Sequence, residues 1–326
     1  MKRCPLCDGE SKVIKFLECM DIVKGYEHIY NEKIDATMFE GNYRLCKCKK
    51  CSLIFADPMK TGSDAFYSWI TKHPNYYPAK DNPRWEWQET VEYIKKNNIS
   101  SILEIGCGEG AFLEYCRMNI SNIQCMGIDM TKDSCEQCEQ KGLEVFCGTV
   151  EEYLLTYPER KYDIVVSFHC LEHVNNVVEF VEDAMLLCNE KGVSIHSFPY
   201  SDKKIEPWLD CGNLPPHHMT RWNEKACLTL GEKVNAQVKL VSPLSDSIYN
   251  ITKQNLIYTW FPLYRLNEVT RWNVLLKCLK HPWFVFKELF RNLTRDTIFA
   301  ATEIDGTQKR RKASYVVLVV LKNKNM

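Results

Sequence analysis

Export, membrane and strong-charge signatures are all missing from this chain of 326 residues. Lys+Arg and Asp+Glu each number 42, so the formal net charge is zero. Such a balance supplies no basic field for a phosphate backbone, which counts against nucleic acid as the main partner. No apolar run approaches the ~20 residues of a membrane helix; the longest is "ASYVVLVVL", near the C-terminus. The opening "MKRCPLCDGE" lacks the apolar core of an export signal, so a cytoplasmic location is expected. Internal repeats and low-complexity tracts are absent as well. Cysteine is not: there are 17. In a long chain without an export signal, metal ligands or reduced core thiols are expected rather than a disulfide scaffold. With 45% apolar residues, the chain suits one large globular domain or two smaller ones.

Three regions differ in pattern. Residues 1–60 hold two Cys pairs, short apolar runs and turn residues; 61–98 are a linker rich in Pro, Asn and aromatics, closing on a helix with Trp87, Val91 and Ile94 on one face. From 99 to 326 strand and helix patterns alternate. "SILEIG", "CMGIDM", "LEVFCG", "YDIVVSFH" and "VSIHSFP" read as strands, with helices between them, including "KDSCEQCEQKG" ended by Gly142 and "NVVEFVEDAMLLCNEKG" ended by Gly192. Short apolar strands separated by helices predict an α/β fold, a Rossmann-like doubly wound, mostly parallel sheet. The run "SYVVLVVLKN" supplies its last strand, after an insert at 245–310 with aromatics, basic residues and expected helices.

Of the 14 glycines, three fall in "GCGEG" (Gly106, Gly108, Gly110), where the first of these strands meets a helix. Without Cβ atoms they allow positive φ and let a ligand lie against the backbone at the sheet's carboxyl edge. A dinucleotide loop reads G-x-G-x-x-G. Here the spacing is G-x-G-x-G, and Glu104 and Glu109 add negative charge that suits a cationic ligand better than a pyrophosphate. Asp129 ends the second strand, 19 residues beyond Gly110, where a carboxylate accepts hydrogen bonds from ribose hydroxyls. S-adenosylmethionine, with a ribose, an ammonium and a sulfonium, has both features.

"LEIGCGEGAFL", "GIDM", "YDIVVSFHCLEHV" and "EKGVSIHSFP" together resemble the class I S-adenosylmethionine-dependent methyltransferases. The resemblance implies that Gly106, Gly108 and Gly110 wrap the methionine part and Asp129 holds the ribose. It sets Thr149 and Val150 beside the adenine, and His169 and Cys170 near the methyl group. Asp is usual where this chain has Glu104, a change that keeps the charge.

"CPLC" (Cys4, Cys7) and "CKKC" (Cys48, Cys51) form two C-x-x-C knuckles. Four thiolates offer the tetrahedral set of a structural Zn²⁺, giving a small zinc-ribbon-like module. The 40 residues between the knuckles (8–47) exceed the usual ribbon spacing, so an insertion is expected to loop out. Cys46 competes as fourth ligand at a less favourable spacing. Buried free thiols are the alternative, and a redox pair a weaker one, since neither knuckle follows a βαβ pattern. A zinc module, "CSLIFADP", a Tyr-rich linker and a methyltransferase core are similar to bacterial sugar and surface-glycan methyltransferases, including deoxysugar C-methyltransferases. Those usually carry a further C-terminal Rossmann-like domain that this sequence is too short to hold, which leaves O-methylation open.

An acceptor hydroxyl or carbon acid must lose a proton, and imidazole is the suitable base near neutral pH. "PPHHMTRWN" offers His218 as base, with His217 as substrate contact or alternate base; both packing within the loop is the other reading. In "FHCLEH", a helix would put His169 and His173 on one face beside Glu172, either pinning the loop by hydrogen bonds, the preferred reading, or holding a cation. Tyr76 and Tyr77 either reach over the substrate or pack between modules. The segment 272–295 mixes apolar, aromatic and basic residues, which fits a lid, an oligomer contact or, less favoured, a membrane surface. The expected function is methyl transfer to a sugar, nucleotide-linked or in a surface glycan. The alternatives are an rRNA methyltransferase with a zinc module and a non-catalytic binding protein of the same fold.

Overall fold

The computed structural model describes residues 2–39, 41–73, 83–200, 213–241, 271–287, 289–290 and 316–324. The chain opens with β1 (Ser11–Leu17), α1 (Cys19–Tyr30), β2 (Tyr43–Cys48), β3 (Ile54–Asp57) and α2 (Asp64–Ile70). After α3 (Trp85–Asn97) come β4 (Ser101–Ile105), α4 (Ala111–Asn119), β5 (Gln124–Asp129), α5 (Lys132–Gln140), β6 (Glu144–Cys147), α6 (Val150–Thr156), β7 (Tyr162–Phe168), α7 (Val177–Leu186) and β8 (Cys188–Pro199). The last described elements are β9 (Thr220–Arg221), α8 (Glu224–Lys233), β10 (Ala236–Val241), α9 (Arg271–Lys280) and β11 (Val316–Asn323).

Seven strands form the main sheet in the order β10-β11-β8-β7-β4-β5-β6. β4 pairs in parallel with both β5 and β7, and β11 runs antiparallel to both its neighbours. The strand order therefore reverses at β4, and the crevice at the carboxyl ends of β4 and β7 is where such sheets bind ligands. The central strands are buried on both faces, as their unbroken apolar runs require: Ile102, Leu103, Ile164, Val165 and Val166 have no exposed surface. This is the Rossmann-like fold expected.

A second sheet, β1-β2-β3-β9, is antiparallel throughout. Its edge strand comes from residues 220–221, so the N-terminal region and the methyltransferase-like region share a sheet. Their cores are shared as well, because one buried cluster contains Cys4, Leu6 and Phe55 together with Leu103, Val165 and Trp222.

Three expectations need correction. The residues between the knuckles do not loop out; they fold as β1 and α1. Tyr26 of α1 is fully buried against Phe39 and Phe66, with ring centroids 5.6 and 5.7 Å away, and this aromatic burial is what holds the insertion in place. Gly192 does not end α7, which stops at Leu186. It lies within β8, where the register to β7 slips between Tyr162 and Ile164. A Cβ at Gly192 would come within 3.0 Å of the Tyr162 and Asp163 carbonyl oxygens, so close strand approach explains the glycine. No helix starts at His169 either: residues 169–174 form a bend and a turn, and His169 takes φ 53°. Within 245–310, the described part includes the expected helix α9, which exposes Trp272, Leu275, Leu276 and Leu279. No helix among the described residues is long and apolar enough to cross a membrane.

Candidate functional site

The glycine loop follows β4 and is pinned to β5. Gly106 and Cys107 donate to the Ile128 carbonyl at 2.8 and 3.1 Å. Asp129 Oδ2 accepts from the Gly108 N–H, and Oδ1 from the Thr131 N–H, each at 2.8 Å. The carboxylate thus shapes the loop and keeps further lone pairs for a ligand. Gly106, Gly108 and Gly110 take φ of 73°, 52° and 76°, the left-handed region that glycine enters without strain. Space is tight as well: a Cβ on Gly106 would lie 3.1 Å from Cys170 Sγ, and one on Gly110 2.3 Å from Leu143 Cδ1, so those side chains would have to give way.

Glu104, in β4 beneath this loop, is buried, and its Oε2 has no hydrogen-bond partner among the described residues. Burial pushes its carboxyl well above the usual range, with Cys138 and Asp129 adding to the effect. A buried carboxyl with an orphaned oxygen at a glycine cradle fits a ligand that carries a cationic donor. Thr149 caps α6 in a capping box with Glu152, and the Gly148 N–H donates to the Asp129 carbonyl at 2.9 Å. Thr149 and Val150 accordingly flank the same carboxyl edge.

A second group of polar side chains lies at the end of β7. The Met219 and Thr220 N–H groups donate to the Glu172 carbonyl at 2.7 and 3.3 Å, fastening the "PPHHMTR" loop to the "CLEHV" turn. The imidazoles of His173, His217 and His218 meet there, with ring centroids 4.4–4.7 Å apart. His173 Nδ1 lies 2.6 Å from the His217 carbonyl and donates to it; His218 Nδ1 donates to Asn213 Oδ1 at 2.9 Å. Burial holds both His173 and His218 below the usual imidazole value, His218 far below. His169 turns the other way, toward Glu86 on α3, with Nε2 3.0 Å from Oε1. Burial pulls this ring down, but Glu172 and Glu86 outweigh it and hold His169 above its usual value. The two faces that a helix would have aligned therefore diverge.

Three residues of this group had no role assigned from sequence. Glu86 is buried on the packed side of α3, a position where only its place beside Trp87 and Val91 gave a signal. Asn213 fixes the His218 ring. Tyr67, on α2, lies beside the cluster, its ring centroid 6.2 Å from those of His173 and His217, and its hydroxyl has no hydrogen-bond partner among the described residues. Tyr76 and Tyr77 lie outside the described residues.

The four knuckle cysteines converge. Their sulfurs all lie within 4.8 Å of one another and are buried, with Cys4–Cys51 and Cys7–Cys48 at 3.6 Å. Zn–S bonds of about 2.3 Å give tetrahedral S···S edges of about 3.8 Å, against about 2.0 Å in a disulfide. The Lys50 and Cys51 N–H groups point at Cys48 Sγ at 3.3 and 3.4 Å, as thiolate ligands require. The donor set fits a tetrahedral soft-metal site, and Cys46 is outside it.

A methyltransferase-domain family model matches residues 72–240, just over half of the chain, and the chain belongs to that family. Among curated proteins it is 26% identical over 127 residues to a ubiquinone biosynthesis O-methyltransferase of Pelagibacter ubique, covering 32% of this chain and 49% of that one. It is 25% identical over 164 residues to ajmaline N-methyltransferase of Rauvolfia serpentina, covering 46% and 53%. The match thus spans about half the length of these relatives. A solved S-adenosylmethionine-dependent methyltransferase of Archaeoglobus fulgidus aligns over 73% of this chain and 94% of its own, at 16% identity and a TM-score of 0.42.

Proposed function

We propose that the chain transfers a methyl group from S-adenosylmethionine to a hydroxyl oxygen, or an acidic carbon, of a sugar. The observation that carries the cofactor is the cradle: three positive-φ glycines beside Asp129 and above a buried Glu104 whose Oε2 has no hydrogen-bond partner among the described residues. When bound, the cofactor supplies an electrophilic methyl on a sulfonium. Gly106, Gly108 and Gly110 give it backbone contact, Glu104 offsets its positive charge, and Asp129 accepts from its ribose. Thr149 and Val150 border the adenine, with His169 and Cys170 toward the methyl end. The cluster of His173, His217 and His218 next to that end orients the acceptor and handles its proton.

The sugar acceptor rests on the N-terminal module and linker pattern; the named relatives are O- and N-methyltransferases of other compounds. Cys4, Cys7, Cys48 and Cys51 hold one structural Zn²⁺ in this reading, apart from the methyl-transfer site. A cytoplasmic protein acting on nucleotide-linked sugars or glycan precursors is the setting it implies.

Calorimetry tests the cofactor: Asp129→Ala should weaken S-adenosylmethionine binding by about 1–3 kcal/mol. Unchanged affinity in the variant, or no binding by the parent protein, would remove the reading. Label transfer from the methyl-labelled cofactor to a panel of nucleotide sugars and glycan extracts tests the acceptor, and label appearing only on non-sugar compounds overturns that part.

A further inference from the structure

The imidazole cluster carries more than a proton-transfer role. One imidazole nitrogen from each of His173, His217 and His218 lies within 4.8 Å of the others. A carbonyl oxygen cannot donate, so His173 Nδ1 carries the proton in its bond to His217, and its Nε2 keeps a lone pair. His218 donates through Nδ1 to Asn213 and likewise keeps its Nε2 lone pair. Metal-bound histidines have this arrangement: one ring nitrogen donates to a carbonyl or amide oxygen, which fixes the tautomer, and the other ligates.

A second, independent observation lies beside them. Glu172 is completely buried, and neither carboxylate oxygen accepts a hydrogen bond among the described residues. Its Oε1 is 3.3 Å from His169 Nδ1 and 4.0 Å from His218 Nε2. A fully buried carboxylate without hydrogen bonds is costly unless a cation compensates it. His169 supplies part of that charge on one side. On the other side stand three rings with two fixed lone pairs.

We infer that His173, His217 and His218, with the Glu172 carboxylate beside them, form a second metal site for a divalent first-row transition ion. Imidazole ligands favour zinc, iron or cobalt over magnesium or calcium. Nitrogens bound at about 2.0–2.1 Å in a tetrahedron stand about 3.4 Å apart, so nitrogens that already lie within 4.8 Å of one another close by no more than about 1.4 Å on loading. Three protein nitrogens would leave a coordination position open, and the ion would lower the pKa of an acceptor hydroxyl entering it, whose proton would leave to solvent as the oxygen takes the methyl group. This use of the ion rests on the methyl-transfer reading, and there it makes His218 a ligand instead of a free base. Binding of the ion does not rest on that reading.

The test uses full-length protein with zinc already in the thiolate cluster, titrated with Co²⁺ and followed by absorption and calorimetry. One Co²⁺ per chain should bind without the intense near-ultraviolet band of cobalt–thiolate ligation, since that band would report exchange at the cysteines. His173→Gln and His218→Gln should each weaken this binding by about 100-fold or more, and Asn213→Ala by about 10–100-fold, the scale for a group that orients a ligand. S-adenosylmethionine binding by each variant verifies its fold. Should a variant fail to fold, the parent protein still decides the matter: its Co²⁺ form should show hyperfine-shifted imidazole N–H resonances from the rings held by His217 and Asn213. Cobalt binding only with the thiolate band, or no shifted imidazole signal, overturns the site. Loss of cofactor binding with an intact cobalt site would instead overturn the methyl-transfer reading and leave this one standing.

Discussion

Two donor clusters border one small sheet and differ in almost every chemical respect. The thiolate cluster takes Cys48 from the end of β2 and Cys51 from the turn before β3; the imidazole cluster takes His217 and His218 from the residues entering β9, which pairs with β3. The first is closed. Its sulfurs already stand at 3.6 Å in pairs, close to a tetrahedral edge, and four identical soft donors leave nothing for a substrate. The second is open and mixed, with three rings whose centroids stand 4.4–4.7 Å apart, a buried carboxylate, and Tyr67 nearby. In the readings proposed above, one holds a fold and the other holds something that comes and goes.

The largest expected effect breaks the closed cluster. Structural zinc contributes on the order of 10 kcal/mol to modules that fold around it. Cys48→Ser should release the metal and loosen residues 2–57 ahead of the main sheet, read by metal analysis and hydrogen exchange. Because β9 is the edge strand of the same sheet, the imidazole cluster should loosen with it. Full metal retention in the variant would sink the assignment.

Breaking the open cluster should cost activity and spare the fold. His218→Ala is expected to lower kcat by about 10²–10⁴-fold while S-adenosylmethionine affinity stays within about twofold. Steady-state kinetics beside calorimetry separate the two readouts. A variant that turns over at the parent rate would mean that the cluster only packs the loop.

The contrast also explains what could be read from sequence. The cysteine knuckles announce themselves because each pair is local, and the glycine loop because its spacing is tied to a strand end; the four sulfurs converge and the three glycines take positive φ. The imidazole site is assembled across the chain. His173 meets His217 at a separation of 44 residues, and His169 meets Glu86 at 83. Local periodicity then misled: "FHCLEH" scans as a helical turn, but Gly-like φ at His169 and the main-chain clamp from Met219 to Glu172 send its two histidines apart. Gly192 misled for the same reason, since a glycine required by a neighbouring strand looks like one that stops a helix.

The smallest effect sharpens the boundary of the open cluster, where His169 sits between Glu172 and Glu86. Its folded-state value is raised above the unfolded imidazole value of about 6.5. Such a group contributes stability that is fully present below the unfolded value and is lost as pH rises through the folded one. Glu86→Gln removes one of the two carboxylates that hold the charge. It should therefore destabilise the protein by about 1.5–3 kcal/mol near pH 6, the range of a hydrogen bond to a charged group, and by clearly less at a pH high enough to leave the ring neutral in both proteins. His173 and His218 are shifted the other way and are common to both proteins, so they drop out of the difference. Denaturant unfolding at the two pH values reads it. An equal loss at both would mean that Glu86 acts on His169 only as a neutral hydrogen-bond acceptor, and that the charge beside the cluster resides elsewhere.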